Sequence, residues 1–474
     1  MKFIGREKEL SRLQKFLQKK TASLLVIKGR RRIGKSSLID EFGKNFKRYW
    51  HFSGLPPESG VSAQDQRNEF CRQFAHQLKL PHPKFENWGD IFWLLGECAQ
   101  KVGRVLILLD EISWMGLEDP TFLPKLKDAW DRFFKKNGEL ILVLCSSASS
   151  WIEKNILSGS GFVGRLSDTI TLEPLPLKDA TQFWGKRSIA SFEKLKILSV
   201  TGGIPRYLEE IKASVPAEEN LRKLCFLPGA MLVKEFKQIF SDVFMRDSKI
   251  YQEMVRALAG SAKTHGEICK AIGHEPNGRV SGYLEELRLA GFIKKDSAWQ
   301  FKTGKDSKIC TYRLSDNYLR FYVKYIEPNL ERIERGTFEL KSLTSLPEWN
   351  VVMGLQFENL VLNERTWIHQ RLHIQAGEIV SENPYYQTKT TRHQACQIDY
   401  LIQTNHQNFY LCEIKFSKNP ITYSVIEEVR AKMKALSLPR GFSCRPVLIC
   451  AGEVTEELEN SQFFSAIIDL SKEL

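Results

Sequence analysis

The chain's 474 residues, 42% of them hydrophobic, supply material for about three packed domains at roughly 150 residues each. Lys and Arg number 69 against 56 Asp and Glu, a net charge of +13 that suits a polyanionic partner and equally a plain basic surface, so charge alone names no ligand. No apolar run exceeds six residues and the N-terminus MKFIGREKEL has no apolar signal core, which argues against membrane and secretory classes and for the cytoplasm.

The first informative stretch is GRRRIGKS at 29–36, which follows the apolar run Leu24, Leu25, Val26, Ile27. A buried strand that turns at once into a helix is the setting of a phosphate-binding loop. Gly29 and Gly34 let main-chain N–H groups close on phosphate oxygens, Lys35 reaches the terminal phosphates, and the Ser36 hydroxyl can ligate Mg²⁺. The nucleotide-binding residues expected here are Gly29, Arg30, Arg31, Arg32, Ile33, Gly34, Lys35, Ser36 and Ser37.

Next comes RVLILLDE at 104–111, a buried strand capped by two carboxylates. Asp110 is expected to hold Mg²⁺ through water, and Glu111 to orient or deprotonate the attacking water. A third strand, Leu140 to Cys145, ends in Ser146 and Ser147, which read either as γ-phosphate sensors or as turn formers. The alternation of strands and helices over 1–174 predicts a parallel α/β sheet, and 175–255 reads as mainly helical. Within the latter, Gly202, Gly203 and Pro205 break the pattern ahead of Arg206, which either approaches a nucleotide or solvates a helix face.

Residues 256–326 read as a different module. Thr264 and Glu267 make a capping box, HEPNG turns the chain, and Val280, Tyr283, Leu284 and Leu287 mark a second helix that Gly291 ends. A hairpin carrying Lys294, Lys295, Lys302, Lys305 and Lys308 follows, completing the order of a winged helix, a module for nucleic acid or for protein contacts. Arg279 and Arg288 on the second helix favour nucleic acid. SDNYLRFYVKYI is an amphipathic helix, EPNLERIERG reads as a connector, and the last domain begins between 330 and 345 and runs to 474.

In that last domain QIDYLI (397–402) and FYLCEIKF (409–416) predict adjacent strands, with Glu413 and Lys415 on one face and Asp399 on the neighbouring strand. Paired carboxylates with a lysine can bind Mg²⁺ and activate water against a phosphodiester. Glu358, on the apolar helix LQFENLV, is a further candidate ligand. The ten cysteines form no CxxC pair and read as reduced core residues, and His369 with His373 is the one histidine pair at ligand spacing.

FIGREKEL, GRRRIGKS, VLILLDE, GFVGRLS and TGGIPRYL together resemble the prokaryotic AAA+/STAND ATPases called archaeal-type ATPases. The resemblance implies ATP and Mg²⁺ as cofactors, an adenine pocket near Phe3, Gly5 and Arg6, and Arg165 as an arginine finger acting in trans within a homo-oligomer. Glu358, Asp399, Glu413 and Lys415 in that order resemble the PD-(D/E)xK restriction-endonuclease-like fold, in which Asp and Glu hold the metal and Lys positions the water. The proline that often precedes the Asp is missing; Gln397 and Ile398 stand there.

The expected architecture is therefore an α/β protein: a P-loop NTPase parallel sheet (1–174), a helical lid (175–255), a winged helix (256–326) and a restriction-endonuclease-like α/β domain (345–474). The expected function is ATP binding and hydrolysis coupled to a metal-dependent nuclease-like DNA-binding domain, in DNA processing or defence, without a membrane partner. The competing reading is a nucleotide-dependent switch or transcription regulator that grips DNA or protein without cutting.

Overall fold

The computed structural model describes residues 3–57, 60–159, 161–185, 189–244, 248–389 and 394–474. The chain divides into two compact units, one formed by Met1–Glu173, Lys237–Ser248 and Glu285–Gly291, the other by Pro174–Phe236, Lys249–Leu284 and Phe292–Leu474.

The first unit is built on five parallel strands: β1 (Ser23–Gly29), β2 (Tyr49–Ser53), β3 (Val105–Asp110), β4 (Leu140–Ser146) and β5 (Leu166–Leu172). Their order across the sheet is β2-β3-β4-β1-β5. The three central strands are buried along nearly their whole length, as expected of a parallel sheet covered by helices on both faces. The Ala63–Leu78 helix starts at a Ser62–Asp65 capping box, and Asn87 caps the Trp88–Gln100 helix. Between these helices and the sheet lies an aromatic cluster. Trp88 is fully buried, stacked on Phe92 at 5.4 Å and edge-on to Phe70 and Phe122 at 5.5 and 4.8 Å.

The second unit contains a two-stranded antiparallel hairpin, β6 (Ile293–Trp299) with β7 (Asp306–Leu314). It also contains a five-stranded mixed sheet of β8 (Ile379–Gln387), β9 (Cys396–Thr404), β10 (Asn408–Phe416), β11 (Ser443–Ala451) and β12 (Ala466–Asp469). Strand order is β12-β11-β10-β9-β8; β8–β9 and β9–β10 pair antiparallel, β10–β11 and β11–β12 parallel. The expected α/β architecture, a parallel sheet followed by a separate C-terminal α/β domain, is thus what the chain adopts, and both sheets have five strands.

Ahead of the hairpin come the helices Ser248–Leu258, His265–Ala271 and Gly278–Leu289, and the Thr264–Glu267 capping box is present. The hairpin itself is no free appendage. Trp299 and Phe301 lie in the apolar core of the mixed sheet, and the Trp299 indole donates to Gln403 Oε1 at 2.6 Å. EPNLERIERG is not an open connector either, since Glu327–Asn329 forms a 3₁₀ turn and Leu330–Glu334 a short helix over buried Ile333. Arg320 is buried, donating to the Ala259, Leu314 and Leu355 carbonyls and to Gln356 Oε1, so it ties the helical segment and the hairpin to the Trp349–Asn363 helix. Among the described residues no helix is long and apolar enough to cross a membrane.

Replacing the largest ring of the aromatic cluster leaves a cavity that its rigid neighbours cannot fill. Trp88→Ala is expected to destabilise the first unit by about 3–5 kcal/mol, measured as the shift of its urea unfolding transition.

Candidate functional site

Because β1, β3 and β4 run the same way, their carboxyl ends lie along one edge of the sheet, and the expected nucleotide residues gather there. Gly29 ends β1 at φ +152° with its Cα so near Leu172 that an added Cβ would sit 2.6 Å from that residue's carbonyl oxygen. Gly34, at φ +89°, turns the chain into the Lys35–Gly43 helix. Inside the loop the buried Lys35 ammonium donates to the Gly29 and Arg30 carbonyls at 3.2 and 3.3 Å, which holds it across the loop.

Ser36 Oγ donates to Asp110 Oδ2 at 2.5 Å, so the two expected Mg²⁺ ligands already meet. A hydroxyl and a carboxylate at the mouth of a glycine-lined loop are a suitable oxygen donor set for Mg²⁺ beside a triphosphate. Burial acts to raise the Asp110 pKa, but hydrogen bonds from His51 and Ser36 and the charge of Lys35 outweigh it and hold the carboxyl below its ordinary value. Glu111 adopts a left-handed conformation (φ 48°) and accepts from the Ser147 N–H at 3.0 Å and the Ser147 hydroxyl at 2.9 Å. Ser146 pairs with Ser113 at 2.8 Å.

The loop is braced from outside. Arg6 is buried and donates to the Ile33 carbonyl at 3.1 Å, Arg31 is ion-paired with Asp242, and Arg32 donates to Gln238 at 3.1 Å. Ile33 is buried and Ser37 is exposed. Arg165 is elsewhere. It is bonded to Asp131 at 2.8 Å, just before β5, whose first residue, Leu166, pairs with Leu24 near the start of β1. That is the sheet edge opposite the loop, about 17 Å away along the strand, so Arg165 does not reach its own chain's loop. Arg206 is engaged by Glu209 and Glu210 of its own segment at 3.0 and 2.7 Å, as a solvated helix face requires.

In the second unit, β9, β10 and the Trp349–Asn363 helix bring the other expected residues together. Asp399 Oδ2 accepts from the Ile414 N–H at 2.9 Å, and Glu413, only 2% exposed, accepts from Lys415 at 3.1 Å. Lys415 also bonds Glu428 at 2.6 Å. Burial, with Glu413 nearby, pushes Asp399 up to about 6; burial, with Asp399 nearby, pushes Glu358 up to about 7. Burial alone would depress the lysines. Glu428 and Glu413 outweigh it for Lys415, as Asp399 and Glu413 do for Lys432, and both pKa values are raised.

Lys432 is the residue that sequence reasoning missed, 2.5 Å from Glu413 Oε2 and 3.6 Å from Asp399 Oδ1. A signal existed: Val425 and Val429 line the buried stripe of the Ser424–Ala435 helix, and position 432 continues it at i+7. One ammonium shared by two carboxylates marks a point where a cation is stabilised, so the donor set fits a divalent ion. Among the described residues, no group of three His, Cys, Asp or Glu side chains is arranged to hold a metal, so any ion there would rest on two carboxylates and on water.

The histidine pair does not form a ligand set. His369 Nε2 is bonded to Glu382 at 2.6 Å and to the Tyr400 hydroxyl at 3.0 Å, while His373 lies past the helix end at φ 56°. Arg279 covers the Tyr283 ring and Arg288 pairs with Glu285, whereas Lys295, Lys302, Lys305 and Lys308 of the hairpin are exposed.

Residues 3–211 match the family model described as an ATPase domain predominantly from Archaea. An uncharacterized protein of Methanocaldococcus jannaschii is 27% identical over 361 residues, 76% of this chain and 76% of that one. The Walker-type ATPase of Pyrococcus abyssi aligns with a TM-score of 0.50 at 17% identity, over 68% of this chain and 96% of that chain, a likeness of fold. The ORC2 protein of Aeropyrum pernix, in complexes with ADPNP and ADP, aligns at 0.43 and 12% identity, over 70% and 94%.

Glu358 generates a pH prediction. The folded chain holds its proton up to about pH 7, while the unfolded chain releases it near the ordinary 4.5. The folded state therefore binds more protons between those values, and stability falls as pH rises through that window. In EDTA, Glu358→Gln is expected to be more stable than the parent at pH 8, by on the order of 1–3 kcal/mol, with the gap closing at pH 4. A gap that does not change with pH would contradict this assignment.

Proposed function

We propose that the chain binds and hydrolyses ATP at the 29–37 loop and couples this to metal-dependent cleavage of DNA phosphodiesters at Glu358, Asp399, Glu413 and Lys415. One observation carries the reading. Three acids and a lysine from a helix and two strands converge in a poorly hydrated place, an arrangement that costs several kcal/mol unless charge is offset and that suits chemistry better than packing.

In the ATPase half, main-chain amides and Lys35 bind the phosphates. Ser36 and Asp110 would hold Mg²⁺, and Glu111, oriented by Ser147, positions the attacking water. Arg165 faces away from its own loop, so it serves as a finger only for a neighbouring copy. In the second half Asp399 and Glu413 would hold the metal. When bound, Mg²⁺ acidifies water and offsets charge on the phosphate. Lys415, fixed between Glu413 and Glu428, orients the nucleophilic water, and Glu358, its pKa pushed up to about 7, adds only part of a third negative charge near neutrality. Within the second unit, the His265–Ala271 helix and the 293–314 hairpin belong to a winged-helix-like DNA grip, with the four exposed hairpin lysines toward the backbone.

Lys35→Ala is expected to abolish ATP binding in an equilibrium assay. Asp399→Ala is expected to spare ATP turnover and remove Mg²⁺-dependent cleavage of supercoiled and linear DNA; cleavage retained by that variant would refute the assignment. DNA bound with sequence-specific footprints and no fragments under any nucleotide would favour the regulator instead. Replacing Lys295, Lys302, Lys305 and Lys308 by Ala is expected to weaken DNA binding and flatten the plot of log affinity against log salt, by about one unit of slope for each phosphate no longer neutralised.

A further inference from the structure

The two carboxylates of the second site are each half committed. Asp399 Oδ2 accepts from the Ile414 N–H, and Glu413 Oε1 accepts from Lys415; the other two oxygens, Asp399 Oδ1 and Glu413 Oε2, face the same ammonium, that of Lys432. Those are the oxygens a cation between the two acids would take, and two cations cannot share one point. We propose that Lys432 is a tethered surrogate cation, which keeps Asp399 and Glu413 together while no metal is bound and must leave them for a divalent ion to enter.

The inference rests on the reading of these acids as a metal site and adds an internal competitor to it. The geometry supplies the exit. Lys432 is 24% exposed at its side chain, so its head can withdraw to water along the flexible stem. Glu428, one turn earlier on the same helix, stands four residues before Lys432, the favourable order for a helical ion pair; its Oε2 holds Lys415, and its other oxygen can receive the displaced ammonium. Metal affinity is then lowered by the fraction of molecules in which Lys432 occupies the acids. Lys432 is thus a positioning residue, and its effect is on metal entry.

The experiment uses the full chain at pH 8 without nucleotide, titrated with MnCl₂ and read by loss of the free Mn²⁺ EPR signal. Asp399→Asn identifies the ions bound at this site. Lys432→Met is expected to lower the Asp399-dependent Kd at least about ten-fold, the scale of one hydrogen bond to a charged group that no longer has to break. A parallel arm needs no variant at Lys432: a brief acetic anhydride pulse on the wild type, with peptide mass spectrometry, is expected to label Lys432 several times faster with Mn²⁺ than with EDTA, using exposed Lys418 as the internal standard.

Equal or weaker Mn²⁺ binding by a folded Lys432→Met overturns the proposal, as does Lys432 labelling that ignores Mn²⁺ while Mn²⁺ is bound. If Lys432→Met fails to fold, the labelling arm decides. Absence of Asp399-dependent Mn²⁺ binding in every variant sinks the metal site itself, an outcome distinct from equal binding in wild type and variant.

Discussion

Parallel pairing of β1 with β4 and of β4 with β3 is the constraint on which the first unit depends. It forces three chain segments far apart in sequence to end at one edge, so that the Lys35 loop, the Asp110–Glu111 pair and the Ser146–Ser147 pair meet without any of them having to be adjacent in the chain. The apolar runs in those strands secure the arrangement by burying both sheet faces. The polar groups at the edge then satisfy one another: Ser36 with Asp110, Ser147 with Glu111, Lys35 with two loop carbonyls. Such a site is organised before any ligand arrives, which reduces the ordering cost of binding.

The second unit solves a different electrostatic problem. Glu358, Asp399 and Glu413 are brought together by a helix and an antiparallel strand pair, and two lysines, 415 and 432, answer three acids. Burial raises the pKa values of Glu358 and Asp399, so partial protonation of these two offsets part of the remaining charge. The arrangement is stable as a set and costly to break piecemeal, because deleting one lysine leaves a buried carboxylate without its counter-charge.

Much of this was legible in the chain because the signals are local. A glycine-bounded loop after an apolar run, a run ending in two carboxylates, a capping box and strand alternation around Glu413 and Lys415 each declare themselves within about ten residues. The misses are all tertiary. For Lys432 the helical stripe of Val425 and Val429 gives its inward face, but the two carboxylates it meets are visible only once its helix is docked against the sheet. Asp242 and Gln238, which hold Arg31 and Arg32, lie some 200 residues from the loop. His369 and His373 have helical spacing on paper, but the helix ends at Arg371 and the second ring is carried away. Arg165 is informative in the opposite sense, since strand register alone removes it from its own loop.

Trp299 and Phe301 have a bearing on how the chain can be divided. They belong by sequence to the hairpin and by packing to the core of the mixed sheet, with Gln403 bonded to both the Trp299 indole and the Phe301 carbonyl. A fragment beginning at 345, where sequence places the last boundary, would leave the sheet with an unfilled aromatic socket and an unmet Gln403 amide. Autonomy of the C-terminal part therefore begins upstream of residue 293, and the hairpin is best regarded as the first piece of that part's framework.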